Sequence, residues 1–295
     1  MAHSALNYDP TRRYDFKVED VEYRRDSDQA WLAMVYQPQG NGPFPALLDI
    51  HGGAWNNGDR TNNPAIAEGL AASGVVVVSI DFRCGGTYPY PSSLADINYA
   101  TRWLKTHAAD FNADAETVGG LGVSSGGHLI MLSAMRPRDP RYTALPLAET
   151  PDADATLAYA ISCWGVLDPY GRYLMARDNG NKELMANHER YFLTDAAMQE
   201  TNLIQILQQG EKVDLPPALL IQGTADKGVP QGMVEKVEEL YHAAGGDVEL
   251  ALFEGMPHGI AGWSVPAVAS MIERIKTFIA QRLATPLVMA AGSSR

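Results

Sequence analysis

Apolar and polar positions divide the chain into two alternating stretches followed by a regular exchange of short apolar runs and amphipathic segments. Residues 16–24 (FKVEDVEYR) and 30–36 (AWLAMVY) alternate with period two and are rich in aromatic and β-branched side chains. They predict two half-exposed strands joined at Arg25-Asp26-Ser27-Asp28, an opening hairpin. After a Pro/Gly linker from Pro38 to Pro45, Ala46-Leu47-Leu48-Asp49-Ile50 predicts a short strand ending in His51-Gly52-Gly53-Ala54-Trp55. A helix is expected over Thr61–Ser73. The run from Gly74 to Ile80 then reads as a strand buried on both faces of a parallel sheet. Leu94, Ile97, Ala100, Thr101, Leu104 and Ala108 share one face of a crossover helix over Ser92–Ala109. Val118–Val123 predicts a further strand, passing through Gly122-Val123-Ser124-Ser125-Gly126 into a helix that ends near Arg136-Pro137. Apolar runs from Leu157 (LAYAISCWGVL) and Pro217 (PALLIQG) predict two more strands. Between them, 170–210 is polar, helical in pattern and rich in Tyr and Met, as expected of an inserted helical cap. An amphipathic helix over Val229–Ala244, a strand over Asp247–Phe253 and a closing helix over Ala267–Leu283 complete the pattern.

Strand and helix alternate from the third strand onward, which argues a mostly parallel, doubly wound α/β sheet. The 295 residues fit one α/β domain carrying the 170–210 insertion, with a weakly patterned tail at 285–295 expected to be poorly ordered. Composition changes this picture little: 46% of residues are hydrophobic and 20% charged, which is globular. The formal net charge of −12, with no basic run, argues against nucleic acid or anionic membrane surfaces as partners. The start MAHSALNYDPTRR lacks the apolar core of a secretory signal, and no run approaches transmembrane length, so a cytoplasmic protein is expected. Cys84 and Cys163 lie in or beside predicted strands without C-x-x-C spacing and read as buried thiols. A homodimer through an edge strand or the last helix stays open.

The candidate chemistry centres on Ser124. A serine at a strand-to-helix turn holds strained backbone angles only if the residues two before and two after it are small, and Gly122 and Gly126 meet that need. By itself G-x-S-x-G is also an ordinary glycine-rich turn. A serine hydroxyl is a weak nucleophile near neutral pH and needs a general base with a third group to orient it. His258, in Gly255-Met256-Pro257-His258-Gly259, follows the last strand. Asp226, in Gly223-Thr224-Ala225-Asp226, follows the preceding one. Alone, His258 is an ordinary loop histidine and Asp226 an ordinary helix cap. Together they give the order Ser, Asp, His, each after its own strand. The glycines of His51-Gly52-Gly53-Ala54-Trp55 permit backbone N–H groups to crowd a developing oxyanion. Asp168, after the strand ending Trp164-Gly165-Val166-Leu167, is an alternative acid. Trp55, Trp164, His188 and Tyr191 are candidate substrate contacts, with packing as the alternative for each, and His128 reads as structural. Seven histidines without H-E-x-x-H or clustered carboxylates give no metal-ligand spacing. Gly119-Gly120-Leu121-Gly122 lies inside a strand rather than at the chain's first strand-to-helix turn, so it does not read as a dinucleotide fingerprint.

Taken in order, H-G-G-A-W, G-V-S-S-G-G, G-T-A-D and P-H-G resemble the α/β-hydrolase carboxylesterases over about residues 16–283. The chain is similar to the hormone-sensitive-lipase-like esterases and, through H-G-G-x-W, to feruloyl-esterase-like enzymes and arylformamidases. The resemblance implies an α/β-hydrolase fold: an eight-stranded, mostly parallel sheet flanked by helices, with a helical cap. It also implies Ser124 as nucleophile, His258 as acid/base, Asp226 as its orienter, backbone N–H groups of Gly53, Ala54 and Ser125 as oxyanion donors, and no cofactor. Lipase-like relatives often carry a third Gly where this chain has Ala54, and G-D-S-A-G where it has G-V-S-S-G. Their Tyr-Arg pair after the fourth strand is here Phe82-Arg83, which predicts a reshaped pocket wall. The expected activity is hydrolysis of a small to medium carboxylic ester through an acyl-enzyme. A formamide or activated amide is the alternative substrate, and a ligand-binding scaffold without turnover the alternative class.

Overall fold

The computed structural model describes residues 8–284. Among them, eight strands form one sheet: β1 (Phe16–Asp26), β2 (Gln29–Pro38), β3 (Ala46–Ile50), β4 (Val76–Ile80), β5 (Gly119–Val123), β6 (Ala160–Cys163), β7 (Ala218–Gly223) and β8 (Val248–Phe253). Their order is β1-β2-β4-β3-β5-β6-β7-β8, an α/β-hydrolase arrangement. The hairpin β1–β2 and the β2–β4 pair are antiparallel, and every later pairing is parallel. The chain leaves β3 toward β4 on one side and returns to β5 on the other. The carboxyl ends of β3 and β5 therefore flank a topological switch point, where open parallel sheets place their ligands. Ile50 pairs with Gly122, which sets the His51–Trp55 turn beside the Ser124 turn.

Helices cover both faces. On one lie α2 (Ser92–His107), α3 (Ser125–Met135) and α8 (Met233–Ala243); on the other lie α1 (Pro64–Ala71) and α9 (Val265–Ala284). Each strand divides its side chains between the two cores as the pleat requires. Leu48, Ile50, Val76 and Val78 face the first, and Leu47, Val77, Leu121 and Ile161 the second. All these strand residues are buried, which explains why the parallel strands read as nearly continuous apolar runs rather than alternations.

Two expected elements differ in extent. β6 ends at Cys163 instead of running on to Leu167, because Trp164 adopts φ +41 and turns the chain out of the sheet. α1 begins at Pro64 and not at Thr61; Pro at the first helical position is preset for that place. The segment between β6 and β7 contains α4 (Pro169–Asp178), α5 (Lys182–Phe192), α6 (Asp195–Glu200) and α7 (Leu203–Gln208). Each starts on a side-chain cap: Asp168 accepts from Gly171 N, Asn181 from Leu184 N, Thr194 from Ala197 N, and Asn202 from Ile204 N and Gln205 N. Cys84 and Cys163 are free thiols. The tail at 285–295 lies outside the described residues.

Candidate active site

The elbow after β5 is built by the close approach of three pieces of backbone. Ser124 holds φ +53, ψ −120, a conformation side-chain-bearing residues rarely take. A Cβ on Gly122 would lie 2.1 Å from the Gly126 carbonyl oxygen, and one on Gly126 would lie 2.2 Å from the Ile50 carbonyl oxygen. Only glycine at both positions lets helix α3 leave β5 directly against β3. The turn is tied further by Ser124 N donating to Cys163 O at 2.9 Å and Val166 N donating to Ser124 O at 3.1 Å.

Its hydroxyl meets His258. Ser124 Oγ lies 2.9 Å from His258 Nε2, and His258 Nδ1 lies 2.8 Å from Asp226 Oδ2. An ionised carboxylate only accepts, so Nδ1 carries the imidazole proton and Nε2 is left to accept from the serine. Asp226 is almost fully buried, whereas a quarter of the His258 side chain is exposed. Burial by itself would raise the Asp226 carboxyl. The His258 hydrogen bond and charge, the Gly228 N–H at 2.7 Å and the Gln222 amide together hold it below the ordinary carboxylate range. Asp168, the alternative acid, is occupied elsewhere: it caps α4 through Gly171 N and accepts from Asn202 Nδ2. Gln222 was not singled out from sequence, although it is the polar residue in the otherwise apolar ALLIQG strand.

The second turn, after β3, carries a run of left-handed residues: Gly53 (φ +108), Ala54 (+50) and Trp55 (+64). A Cβ on Gly53 would lie 1.8 Å from the Asn57 carbonyl oxygen, and one on Gly52 would lie 3.2 Å from Ser124 Cβ. The two turns are therefore in contact. Ser125 is the first residue of α3, so its N–H belongs to the helix-terminal donors that lack an intrahelical partner. His51 lies behind the turn, with Nδ1–H donating to Gly52 O at 2.7 Å and its ring stacked on Phe82 at 4.1 Å. Phe82 supports His51, and Arg83 is held by the fully buried Asp96 at 2.8 Å.

The four candidate substrate contacts are buried: Trp55 is 1% exposed, His188 and Tyr191 0%, and Trp164 3%. Packing against neighbouring rings, the alternative weighed for each, covers most of their surface. Trp55 stacks on Tyr191 at 5.8 Å and meets Phe192 at 4.9 Å and His188 at 5.0 Å edge-on. Its indole N–H donates to His128 Nδ1 at 3.2 Å, while His128 Nε2–H donates to Thr201 O at 2.8 Å. Burial depresses both His128 and His188 to about 4, so each is neutral near pH 7. Trp164 packs against Trp263 under the opposite face. Asn56 Nδ2 donating to Asn187 O at 2.8 Å joins the β3 turn to α5. Among the described residues no group of His, Cys, Asp and Glu is arranged to hold a metal ion, and no helix is long and apolar enough to cross a membrane.

The family model BD-FAE matches residues 32–241, more than two thirds of the chain. The chain belongs to the BD-FAE family. That match includes the His51–Trp55 turn, the elbow and Asp226, and stops short of His258, which enters through geometry. Among curated proteins, this BD-FAE chain is 29% identical to esterase LipC of Mycobacterium tuberculosis over 74% of its own length and 53% of the relative's. It is 28% identical to carboxylesterase NlhH of the same organism, covering 78% of the chain and 72% of the relative. The chain spans about half the length of several of these relatives, LipC among them. Two solved structures share the fold: the hyperthermophilic esterase of the archaeon Pyrobaculum calidifontis (TM-score 0.73, 19% identity, 91% of this chain and 87% of that one), and esterase 2 of Thermogutta terrifontis phosphorylated by paraoxon (TM-score 0.71, 23% identity, 90% and 94%).

Proposed function

We propose that the protein is a serine hydrolase of small to medium carboxylic esters, with Ser124 as nucleophile, His258 as acid/base and Asp226 as its orienter. One observation carries the reading: the unbroken chain from Ser124 Oγ to His258 to the buried Asp226, anchored on a strained elbow. Relatives named esterase or carboxylesterase along most of the chain support it.

His258 Nε2 takes the Ser124 proton as Oγ bonds to the ester carbonyl carbon, and the carbonyl oxygen gains the displaced electron pair. The N–H groups of Gly53, Ala54 and Ser125 meet that oxyanion; removal of one such donor typically slows turnover by about 10²–10³-fold. As the tetrahedral species collapses, the alcohol departs with the proton from His258. Water then attacks the acyl-serine by the same route, releasing the acid and restoring Ser124. The depressed Asp226 carboxyl stays ionised through the mildly acidic range, so it holds the imidazole's orientation and stabilises its charge. Helices α4–α7 act as a cap: α5 carries the aromatic side chains that pack over Trp55 and brace the oxyanion turn.

Steady-state hydrolysis of a short aryl ester tests the reading. Wild type turns over, and Ser124→Ala loses about 10⁶-fold in kcat. Equal activity in the two proteins would remove Ser124 as nucleophile. A matched anilide or formamide run in parallel separates ester from amide preference, since the same acyl-serine serves both.

A further inference from the structure

Arg172, on α4, is a buried cation without a counter-ion. It is 6% exposed, and among the described residues no carboxylate lies within ion-pair distance of it. Its Nε donates to the Gly228 carbonyl at 2.8 Å, and its guanidinium carbon stands 5.8 Å from the centre of the Trp55 ring. Nη1 is buried and has no hydrogen-bond partner. Burial lowers the guanidinium only to about 10, so it remains charged at neutral pH. A buried charge is ordinarily paired, because isolating one from water costs several kcal/mol. Arg24, equally buried, is ion-paired to Asp96 at 3.1 Å; Arg102, which likewise has no carboxylate within ion-pair distance among the described residues, donates instead to both Asn98 Oδ1 and the Leu145 carbonyl.

Position gives this charge its meaning. Gly228 also packs on the catalytic histidine: a Cβ there would lie 2.8 Å from His258 Cγ. Trp55, whose ring the guanidinium also meets, directly follows Ala54 of the oxyanion turn. Arg172 is thus held between the base and the oxyanion turn, with one donor fixed and another free. Asp226, the acid whose charge acts on Arg172, is committed to His258, Gly228 N and Gln222. His188, also against Trp55, is neutral and neither repels nor neutralises an incoming anion.

The geometry points to Arg172 as a specificity residue that pairs, through the unpartnered Nη1, with a carboxylate on the substrate, making the preferred substrates anionic monoesters. This rests on the ester-hydrolase reading above. Nε keeps the Gly228 carbonyl while Nη1 takes the carboxylate, an N–H to anion bond of the stronger, charge-assisted kind. The carboxylate comes either from the acid part, as in a dicarboxylic half-ester, or from the alcohol part.

Two pairs distinguish these sources, each with a branched alkyl group of carboxylate shape in the neutral member: monomethyl adipate against methyl 6-methylheptanoate, and 4-acetoxybenzoate against 4-isopropylphenyl acetate. In one pair, wild type favours the charged member in kcat/KM, and Arg172→Gln reduces that preference by about 10–100-fold, chiefly through KM. Arg172→Lys, which keeps the charge, restores part of it. A packing role for Arg172 lowers both members of each pair together and leaves the ratio unchanged, which overturns the inference. Absence of any charge preference in wild type overturns it equally, without dependence on whether the glutamine variant folds. Calorimetric titration of adipate into Ser124→Ala, with and without Arg172→Gln, reads binding apart from turnover. Binding lost only with Arg172, in a protein that hydrolyses no ester, upholds the carboxylate site and rejects the hydrolase reading. Ester hydrolysis without charge preference or adipate binding does the reverse.

Discussion

Two turns meet at the candidate site, and both hold residues in left-handed backbone for opposite reasons. At the elbow, one non-glycine residue, Ser124, is strained, and glycines on either side make room for it. At the end of β3, Ala54 and Trp55 are both strained side-chain-bearing residues, and the Trp55 ring is locked by His128, His188, Tyr191 and Phe192. The elbow is shaped locally by sterics, whereas the β3 turn is held by tertiary packing from α3 and α5. Strain persists only where its surroundings over-determine it, and these are two ways to achieve that.

Substitutions that remove each support sharpen the contrast. Gly126→Ala is expected to cost the most, over about 4 kcal/mol by urea denaturation, since the added Cβ meets the immovable Ile50 and His51 backbone. Trp55→Ala should cost about 3–5 kcal/mol, from the cavity it leaves and the donor withdrawn from buried His128. A loss below about 1 kcal/mol would show that the aromatic cluster does not hold the β3 turn.

Next in size is a pH effect confined to β3. Asp49 is buried beneath the turn, and burial raises its carboxyl to about 6, even with Ser79 and Asn63 donating to it. Because the folded value exceeds the unfolded one, the contribution is fully present below about pH 4 and is lost as pH rises through 6. Roughly 2–3 kcal/mol of stability should disappear across that window in wild type. Asp49→Asn should remove this component of the pH dependence, and an unchanged profile would contradict it. Smallest is Ala54→Gly, which relieves a left-handed alanine and should stabilise by about 1 kcal/mol.

The same contrast explains what was legible in the sequence. Elbow sterics act between residues two positions apart, so G-V-S-S-G announced the turn, and the order of Ser124, Asp226 and His258 named the groups that the sheet edge brings together. Strand runs such as Val76–Ile80 were equally plain because burial on both faces leaves them almost wholly apolar, with Ser79 the one polar residue in that run. The partners of Trp55 come from segments about 70 and more than 130 residues away, and no local spacing reveals whether an indole faces a substrate or a neighbouring ring. Arg172 gave no signal at all: on α4 it is an ordinary helix residue until Gly228 and Trp55 are seen against it. Likewise β6 stops early because of the backbone at Trp164, a conformation its apolar run conceals.

The most direct test is covalent trapping. The protein is treated with an aryl phosphonate and the modified residue is located by peptide mass spectrometry, in wild type, Ser124→Ala and His258→Ala. The account predicts a single adduct on Ser124, absent from Ser124→Ala and formed far more slowly in His258→Ala, where no base takes the proton. An adduct on another residue, or ester hydrolysis that continues while Ser124 stays unlabelled, would contradict it.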